Sequence, residues 1–373
     1  MTSCSSPMEF GYDAYFELGD QDFQIKRETC IIHYQKNGND MSQKFKVAFA
    51  GFRHGHIDSL LETMNASDDF DVVACCEEDE ATRRSLADKG TVAITHERFA
   101  DVLDNVPCDV IAIGDYYAKR GSIAIQALKA GRHVIADKPL CTDLGELDEI
   151  RSLAKARGLC VGCMLDLRSS RALAAVRRLV AEGRLGKITQ ILFTAQHPLN
   201  RDTRPSWYFE PGKHGGTVND IGSHAVDIIP WIAGSSIAKI TAAREWQAFD
   251  VRSDSFCDAA QVMFELDNGA GVMGDVSYSA PSTFGYTHPS YWRFTFWGTL
   301  GMLECNVGSQ TVAAYFDGEK EPLRISVDSE NPKSYLDAFL DDLRGIPTEL
   351  DTDCVLASAR DALLLQQAAW GKR

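Results

Sequence analysis

Asp220, His224 and Asp227 recur at helical spacing in GGTVNDIGSHAVDIIPWIAG, residues 215–234. Steps of four and three residues stack side chains on one helix face. A carboxylate, an imidazole and a second carboxylate would then stand in line. A carboxylate beside a histidine orients the ring and holds its charge, as a general base requires. Val218, Ile221, Ala225, Ile228 and Ile232 form a separate apolar face of the helix predicted over 217–233. A solvated polar face is the plainer reading of the same pattern.

A lysine offers complementary chemistry. In HVIADKPL, residues 133–140, Lys138 directly follows an apolar run, and Pro139 stiffens the turn. An ammonium fixed at a strand end can hydrogen-bond the oxygen of an alcohol or ketone. The alternative is an exposed loop lysine. The stretch GFRHGHI, residues 51–57, follows KFKVAFA as a phosphate loop follows a first strand, but it lacks the second glycine of G-x-G-x-x-G. Gly51 suits the tight turn and Gly55 can open the helix. Arg53 and His54 bring positive charge or N–H donors towards a phosphate. Glu77 stands 26 residues after Gly51. Dinucleotide-binding units place an acid near there to accept hydrogen bonds from the adenosine ribose. That carboxylate repels a 2′-phosphate and favours NAD over NADP. A helix-capping acid is the competing reading.

These residues need elements to carry them. Apolar runs of strand length occupy 45–50, 71–76, 92–95, 109–114, 133–137 and 159–164, with helical stretches at 56–66, 79–89, 96–104, 118–130 and 143–157. Six continuous apolar strands alternating with helices predict a doubly wound parallel sheet covered on both faces. After about residue 165 the rhythm changes. A basic helix, a strand (KITQILFTAQ) and a Trp-rich loop precede the helix at 217–233. Alternating strands then follow, joined by tight turns such as DNG at 267–269, and the chain ends in a helix. This reads as an α+β domain with an antiparallel sheet. In the loop HPLNRDTRPSWYF, residues 197–209, Arg201 and Arg204 can pair with a carboxylate or phosphate, and Trp207 can cover an apolar sugar face. Domain-interface core is the plainer reading of Trp207-Tyr208-Phe209.

The bulk numbers narrow the partners. A chain of 373 residues implies two domains. A net charge of -15 speaks against nucleic acid and against an anionic membrane surface. No apolar run approaches the ~20 residues of a membrane span. The 11 cysteines are odd in number with no framework spacing, and Cys75, Cys76, Cys160 and Cys163 lie in strand-like runs, so buried thiols in a reducing cytoplasm are expected. Residues 1–43 match nothing that follows. They read as an N-terminal extension, not native to the domain or disordered, with an arm packing on the domain or a partner subunit as the alternative.

Taken together these residues make the chain resemble the Gfo/Idh/MocA family, named for glucose-fructose oxidoreductase and inositol dehydrogenase. The resemblance runs from about residue 44 to the C-terminus. The family's E-K-P appears as Asp137-Lys138-Pro139, and its G-G-x-x-x-D-x-G-x-H-x-x-D as Gly215-Gly216, Asp220, Gly222, His224 and Asp227. RLGKI at 184–188 and GTLGMLE at 298–304 match further positions. The resemblance implies a Rossmann domain binding NAD(P) over 44–164. It implies an α+β domain over 165–373 whose open, largely antiparallel sheet supports homodimers or homotetramers. It also implies hydride transfer between nicotinamide and a carbinol or carbonyl carbon of a sugar, polyol or related small molecule.

By motif position, Lys138 contacts the reacting oxygen, Asp220 binds and orients, and His224 is the acid/base. Arg168, at a family arginine position, joins Arg204, Trp207 and Asp227 as the candidate substrate set, with a structural role as its alternative. The family's T-P-x-x-x-H segment is replaced by DYYAKR, residues 115–120, so Asp115 and Tyr116–Tyr117 change the cofactor or substrate rim and Arg120 stands near the histidine position. Two other functions are weighed. One is a dinucleotide-binding sensor or regulator that lost the chemistry. The other is a metal enzyme using His197, His214 and His224, whose spacings match no standard ligand pattern, so no metal is expected.

Overall fold

The computed structural model describes residues 44–250 and 252–371. The expectation for residues 1–43 lies outside them. Strand β1, Phe45–Ala50, enters helix α1, His56–Asn65, through the loop 51–55. Then follow β2 (Phe70–Cys76), α2 (Glu80–Lys89), α3 (Phe99–Asn105), β3 (Val110–Ile113), α4 (Tyr117–Lys129), β4 (His133–Ala136), α5 (Leu144–Arg157) and β5 (Val161–Cys163). The five strands are parallel and lie in the order β2-β1-β3-β4-β5.

Side chains on a strand alternate between faces, and here both faces are covered. Val47 and Phe49 pack with Ile57, Leu60 and Met64, while Ala48 and Ala50 pack with Ile123 and Leu128 on the other face. Cys160 and Cys163 likewise belong to opposite faces. Cys75, Cys76, Cys108, Cys141 and Cys163 are among the free thiols of the described residues.

The sixth strand expected at 92–95 does not form. That segment meets the sheet edge only at one parallel bridge, Cys76 with His96. The Thr95 hydroxyl accepts the Cys75 N–H at 3.1 Å. The amides of Thr95 and His96 both turn to the Cys75 carbonyl. A side chain thus takes the place a backbone carbonyl would hold in a ladder.

The second sheet is built from β6 (Ile188–Pro198), β7 (Ile237–Trp246), β8 (Ala259–Leu266), β9 (Gly271–Ala280), β10 (Arg293–Gly298), β11 (Gly301–Asn306), β12 (Thr311–Phe316) and β13 (Leu323–Ser326). Its order is β13-β12-β11-β10-β6-β9-β8-β7, antiparallel except for the parallel pair β6–β9. One face packs on helices α6 (Arg171–Ala181) and α7 (Ser223–Ala233). The other is open at its β8–β9 end, where the cross-strand partners Met263 and Met273 are 45% and 51% exposed. Helices α8 (Tyr335–Leu343) and α9 (Thr352–Trp370) then return to the parallel sheet. Leu336, Phe339 and Leu343 join the cluster around Phe49, Val355 and Leu356 join that around Ala48, and Ala362 and Leu365 join the core of the second sheet.

Candidate active site

The site forms where β4 ends and the first turn of the predicted 217–233 helix meets it. That helix is in two pieces, a π-helical turn at Val218–Gly222 and then α7. A π turn inserts a residue into the helical repeat and re-aims the side chains on it. Gly216 precedes it at φ +96, with the Gln366 amide of α9 packed where its Cβ would stand. Gln366 Oε1 accepts the Asn219 N–H at 3.0 Å, so the C-terminal helix holds the turn in place.

The polar line expected on this helix is neither solvated nor continuous. Asp220, His224 and Asp227 are 2%, 5% and 2% exposed. Asp220 Oδ1 accepts from Lys138 Nζ at 2.5 Å and from the Tyr117 hydroxyl at 2.8 Å. Its Oδ2 accepts from the Tyr278 hydroxyl and lies 3.4 Å from His214 Nε2. Asp227 is gripped by Arg168, whose Nε and Nη2 each donate at 2.8 Å, and Ser358 adds a third bond. Neither carboxylate reaches His224. Its Nδ1 makes no hydrogen bond and lies 3.4 Å from Asp166 Oδ1. Its ring stands edge-on to Trp292. The orienting role expected of Asp220 or Asp227 is therefore corrected: the π turn separates Asp220 from His224, and Arg168 takes Asp227. Arg168 and Asp227 likewise form a buried structural pair with each other, not a presented substrate contact.

The electrostatics follow from burial and pairing. Burial opposes ionisation of Asp220, but Lys138 and then His214 outweigh it and hold the carboxyl well below its usual range. Burial lowers the His224 pKa against the pull of Asp166, so the imidazole is neutral near pH 7.

The loop after β1 does fit a dinucleotide at its first glycine. Gly51 sits at φ +86, and a Cβ there would be 2.7 Å from the Asp115 backbone nitrogen. Only glycine allows that approach. Gly55 is exposed at the start of α1, and a Cβ there would meet nothing within 4 Å. Gly51, Gly55 and the α1 N-terminus are thus the residues that would hold a pyrophosphate.

The side chains around them have other partners. The Arg53 guanidinium lies 3.6 Å from Asp79 and 5.7 Å from the Tyr116 ring centre. Asp115 is 2% exposed and pairs with Lys119 at 3.0 Å. Glu77, expected on the ribose, is 1% exposed. Its oxygens accept the amides of Phe52 and Asp79 at 2.7 and 2.8 Å, so it braces the loop from beneath. His54 turns inward: its Nδ1 donates to Asp137 Oδ2 at 2.5 Å, and its Nε2 lies 3.2 Å from the Tyr117 hydroxyl. Burial pulls its pKa down to about 3 against the attraction of Asp137.

Arg120 stands fully buried behind this loop. Its Nη2 meets Asp137 Oδ2 at 2.8 Å, and its other donors reach the carbonyls of Asp115, Asp137, Lys138 and Pro139. Burial opposes the Asp137 charge, but Arg120 and then His54 and His56 outweigh it and keep the carboxyl well below its usual range. Trp207 is 1% exposed and donates from Nε1 to the Arg53 carbonyl at 3.0 Å. It is core between the two sheets, and the sugar-covering role expected of it is corrected. Arg201 pairs with Asp250 at 3.1 Å. Arg204 donates to the carbonyls of Leu199 and Pro198 over the Tyr208 ring and forms no ion pair with a described residue.

Among the described residues the three groups able to converge on one ion are His54, His56 and Asp137, not the trio His197, His214 and His224. Sequence reasoning missed Asp166 and Tyr278 as site residues, and it placed Tyr117 only at the rim and His214 only in the metal alternative. His214 adjoins the Gly-Gly motif and Tyr117 lies in the unusual DYYAKR segment, so each had a local signal. Asp166 and Tyr278 carried none.

Residues 45–164 match the profile described as "Oxidoreductase family, NAD-binding Rossmann fold", and residues 173–304 match "GFO/IDH/MocA C-terminal domain". A D-xylose dehydrogenase from Paenarthrobacter nicotinovorans is 27% identical over 213 residues, 54% of this chain and 55% of that protein. The chain spans about half the length of the curated relatives it matches first. Its fold is shared with an inositol dehydrogenase homolog complexed with NAD+ from Azotobacter vinelandii, at a TM-score of 0.72 and 18% identity, over 88% of this chain and 96% of that one. An aldose-aldose oxidoreductase from Caulobacter crescentus complexed with glycerol gives a TM-score of 0.70 at 18% identity, over 89% and 99%. With both halves matched and the Gly-Gly, Asp-Lys-Pro and Asp-x-x-x-His residues meeting at one site, the chain belongs to the GFO/IDH/MocA oxidoreductase family.

Proposed function

We propose that this chain is an NAD-dependent oxidoreductase acting on a carbinol or carbonyl carbon of a sugar, polyol or related small molecule. The observation that carries the reading is the Lys138–Asp220 ion pair, 2.5 Å long and buried beside a neutral His224 at the mouth of the parallel sheet. Bound nicotinamide would accept or return the hydride of the carbinol carbon. Lys138 donates a hydrogen bond to the substrate oxygen and stabilises the charge that grows there. Asp220 anchors Lys138. His224 takes the hydroxyl proton in oxidation and hands it to Asp166, whose side chain is 59% exposed and opens to water. We assign the polar end of the substrate to Arg204.

Four acidic residues in a row, Glu77, Glu78, Asp79 and Glu80, follow β2 and support NAD over NADP. Arg83 offers no phosphate site there, because its Nη1 is spent on the carbonyls of Glu77 and Glu78. The free thiols fit a reducing cytoplasm, and no described helix is long and apolar enough to cross a membrane.

NADH and NADPH titrations followed by cofactor fluorescence, with a panel of aldoses, inositols and keto-sugars, test this reading. Tighter NADH binding and turnover of at least one compound are expected. NADH binding without any turnover would point to the sensor alternative.

We further propose that a second copy covers the open end of the eight-stranded sheet around Met263 and Met273, since a flat exposed apolar pair is costly in water. Light scattering should report a dimer or tetramer that Met263→Lys weakens. A monomer would end that proposal.

A further inference from the structure

The chain's two departures from the family pattern, the glycine-poor loop and the DYYAKR segment, touch each other. His54 comes from the first and Tyr117 from the second. Tyr117 is fully buried, and its hydroxyl meets His54 Nε2 at 3.2 Å, Tyr208 Oη at 2.6 Å and Asp220 Oδ1 at 2.8 Å. His54 Nδ1 continues the array to Asp137 at 2.5 Å, and Asp137 Oδ1 accepts from His56 Nδ1 at 3.2 Å. The side chains of His54 and Asp137 are 7% and 0% exposed, while His56 is 50% exposed beside the α1 N-terminus. An unbroken hydrogen-bonded path therefore leads from the rim of the cofactor loop to Lys138.

The protons fix how the path is wired. Asp137 is ionised and has none to give, so His54 donates Nδ1–H to it. Neutral His54 then offers a bare Nε2. Tyr117 carries one proton and faces two acceptors, that Nε2 and Asp220 Oδ1. Tyr208 supplies the hydroxyl that the Tyr117 oxygen accepts. Whatever shifts His54 shifts the Tyr117 proton between the loop and Asp220, and with it the hold on Lys138.

We propose that His54 and Tyr117 are positioning residues that couple the cofactor loop to the Lys138–Asp220 pair. This rests on reading that pair as the reacting centre. Occupation of the loop sets His54, His54 sets which acceptor Tyr117 serves, and Tyr117 sets the geometry from which Lys138 meets the substrate oxygen. The link is direct, through side chains, and bypasses the backbone.

The test is a double-mutant cycle on kcat with whichever panel compound the wild type turns over. Tyr117→Phe removes the hydroxyl and keeps the ring that packs on Trp207. His54→Gln removes the imidazole. Each should lower kcat about tenfold, the size of one charge-assisted hydrogen bond, with substrate KM and melting temperature of Tyr117→Phe little changed. The double variant should be no slower than the slower single, because both break one path. Effects that multiply, or a Tyr117→Phe enzyme with wild-type kcat, would overturn the proposal.

Should the wild type turn over no compound, the functional reading fails separately, and the cycle is read in NADH affinity. Asp220→Asn should then alter NADH binding in the wild-type background and not in Tyr117→Phe. An equal effect in both backgrounds overturns the coupling.

Discussion

His224→Ala should lower turnover by about 10²- to 10⁴-fold while leaving NADH affinity within about threefold of wild type. The imidazole is 5% exposed and lies on α7, not on the loop that would hold the cofactor. Its loss removes the proposed proton acceptor without touching Gly51 or the α1 N-terminus. The sign of the pH dependence follows from burial, which lowers the His224 pKa from 6.5. Oxidation should therefore hold steady at neutral pH and fall as pH drops through a value below 6.5. Asp166 opposes that lowering, so Asp166→Asn should move the acid limb of the kcat profile to lower pH and reduce its plateau. Steady-state kinetics across pH, with NADH fluorescence titration, measure both. Unchanged turnover in His224→Ala would remove it from the acid/base role.

Arg120→Leu should cost about 3–5 kcal/mol of stability, because it leaves a buried carboxylate without its guanidinium. Arg120 and Asp137 are both 0% exposed, so solvent cannot replace the lost partner. The carbonyls of Asp115, Lys138 and Pro139 also lose their donors. Urea unfolding without cofactor reads the difference.

In the wild type the Asp137 pKa is held below its ordinary 3.8. Its stabilising contribution is present above 3.8 and is lost as pH falls through the depressed value. The gap between wild type and variant should therefore narrow in acid. Arg120→Leu combined with Asp137→Leu should be less destabilised than Arg120→Leu alone, since the stranded charge is gone. A single variant as stable as wild type would show that the pair contributes nothing net.

Much of this was legible along the chain. Continuous apolar runs at 45–50 and 109–114 announced strands buried on two sides, and both formed with their covering helices. Alternation in AAQVMFEL announced a strand with one face open, and Met263 is exposed as that period requires. The run at 92–95 misled because its hydropathy matched a strand while Thr95 supplied a competing side-chain acceptor. Hydropathy carries no information on where a hydroxyl will bond. In the substrate loop the core reading of Trp207 held and the sugar-covering one did not. Trp207 looks alike in sequence whether it covers a sugar or fills a core.

By itself the sequence determined the two-sheet architecture, the family, and the presence of Lys138, Asp220 and His224 in one motif set, because periodicity and motif spacing are local properties. The tertiary structure decided which charges meet. An ideal helix would have aligned Asp220, His224 and Asp227. One inserted residue in the π turn, held by Gln366 from the far end of the chain, instead gives Asp220 to Lys138, leaves Asp227 to Arg168, and sets His224 beside Asp166. Buried charges settle on the partners that packing brings within about 3 Å, and those partners stand 59 to 82 residues apart in sequence for Asp227 and Asp220.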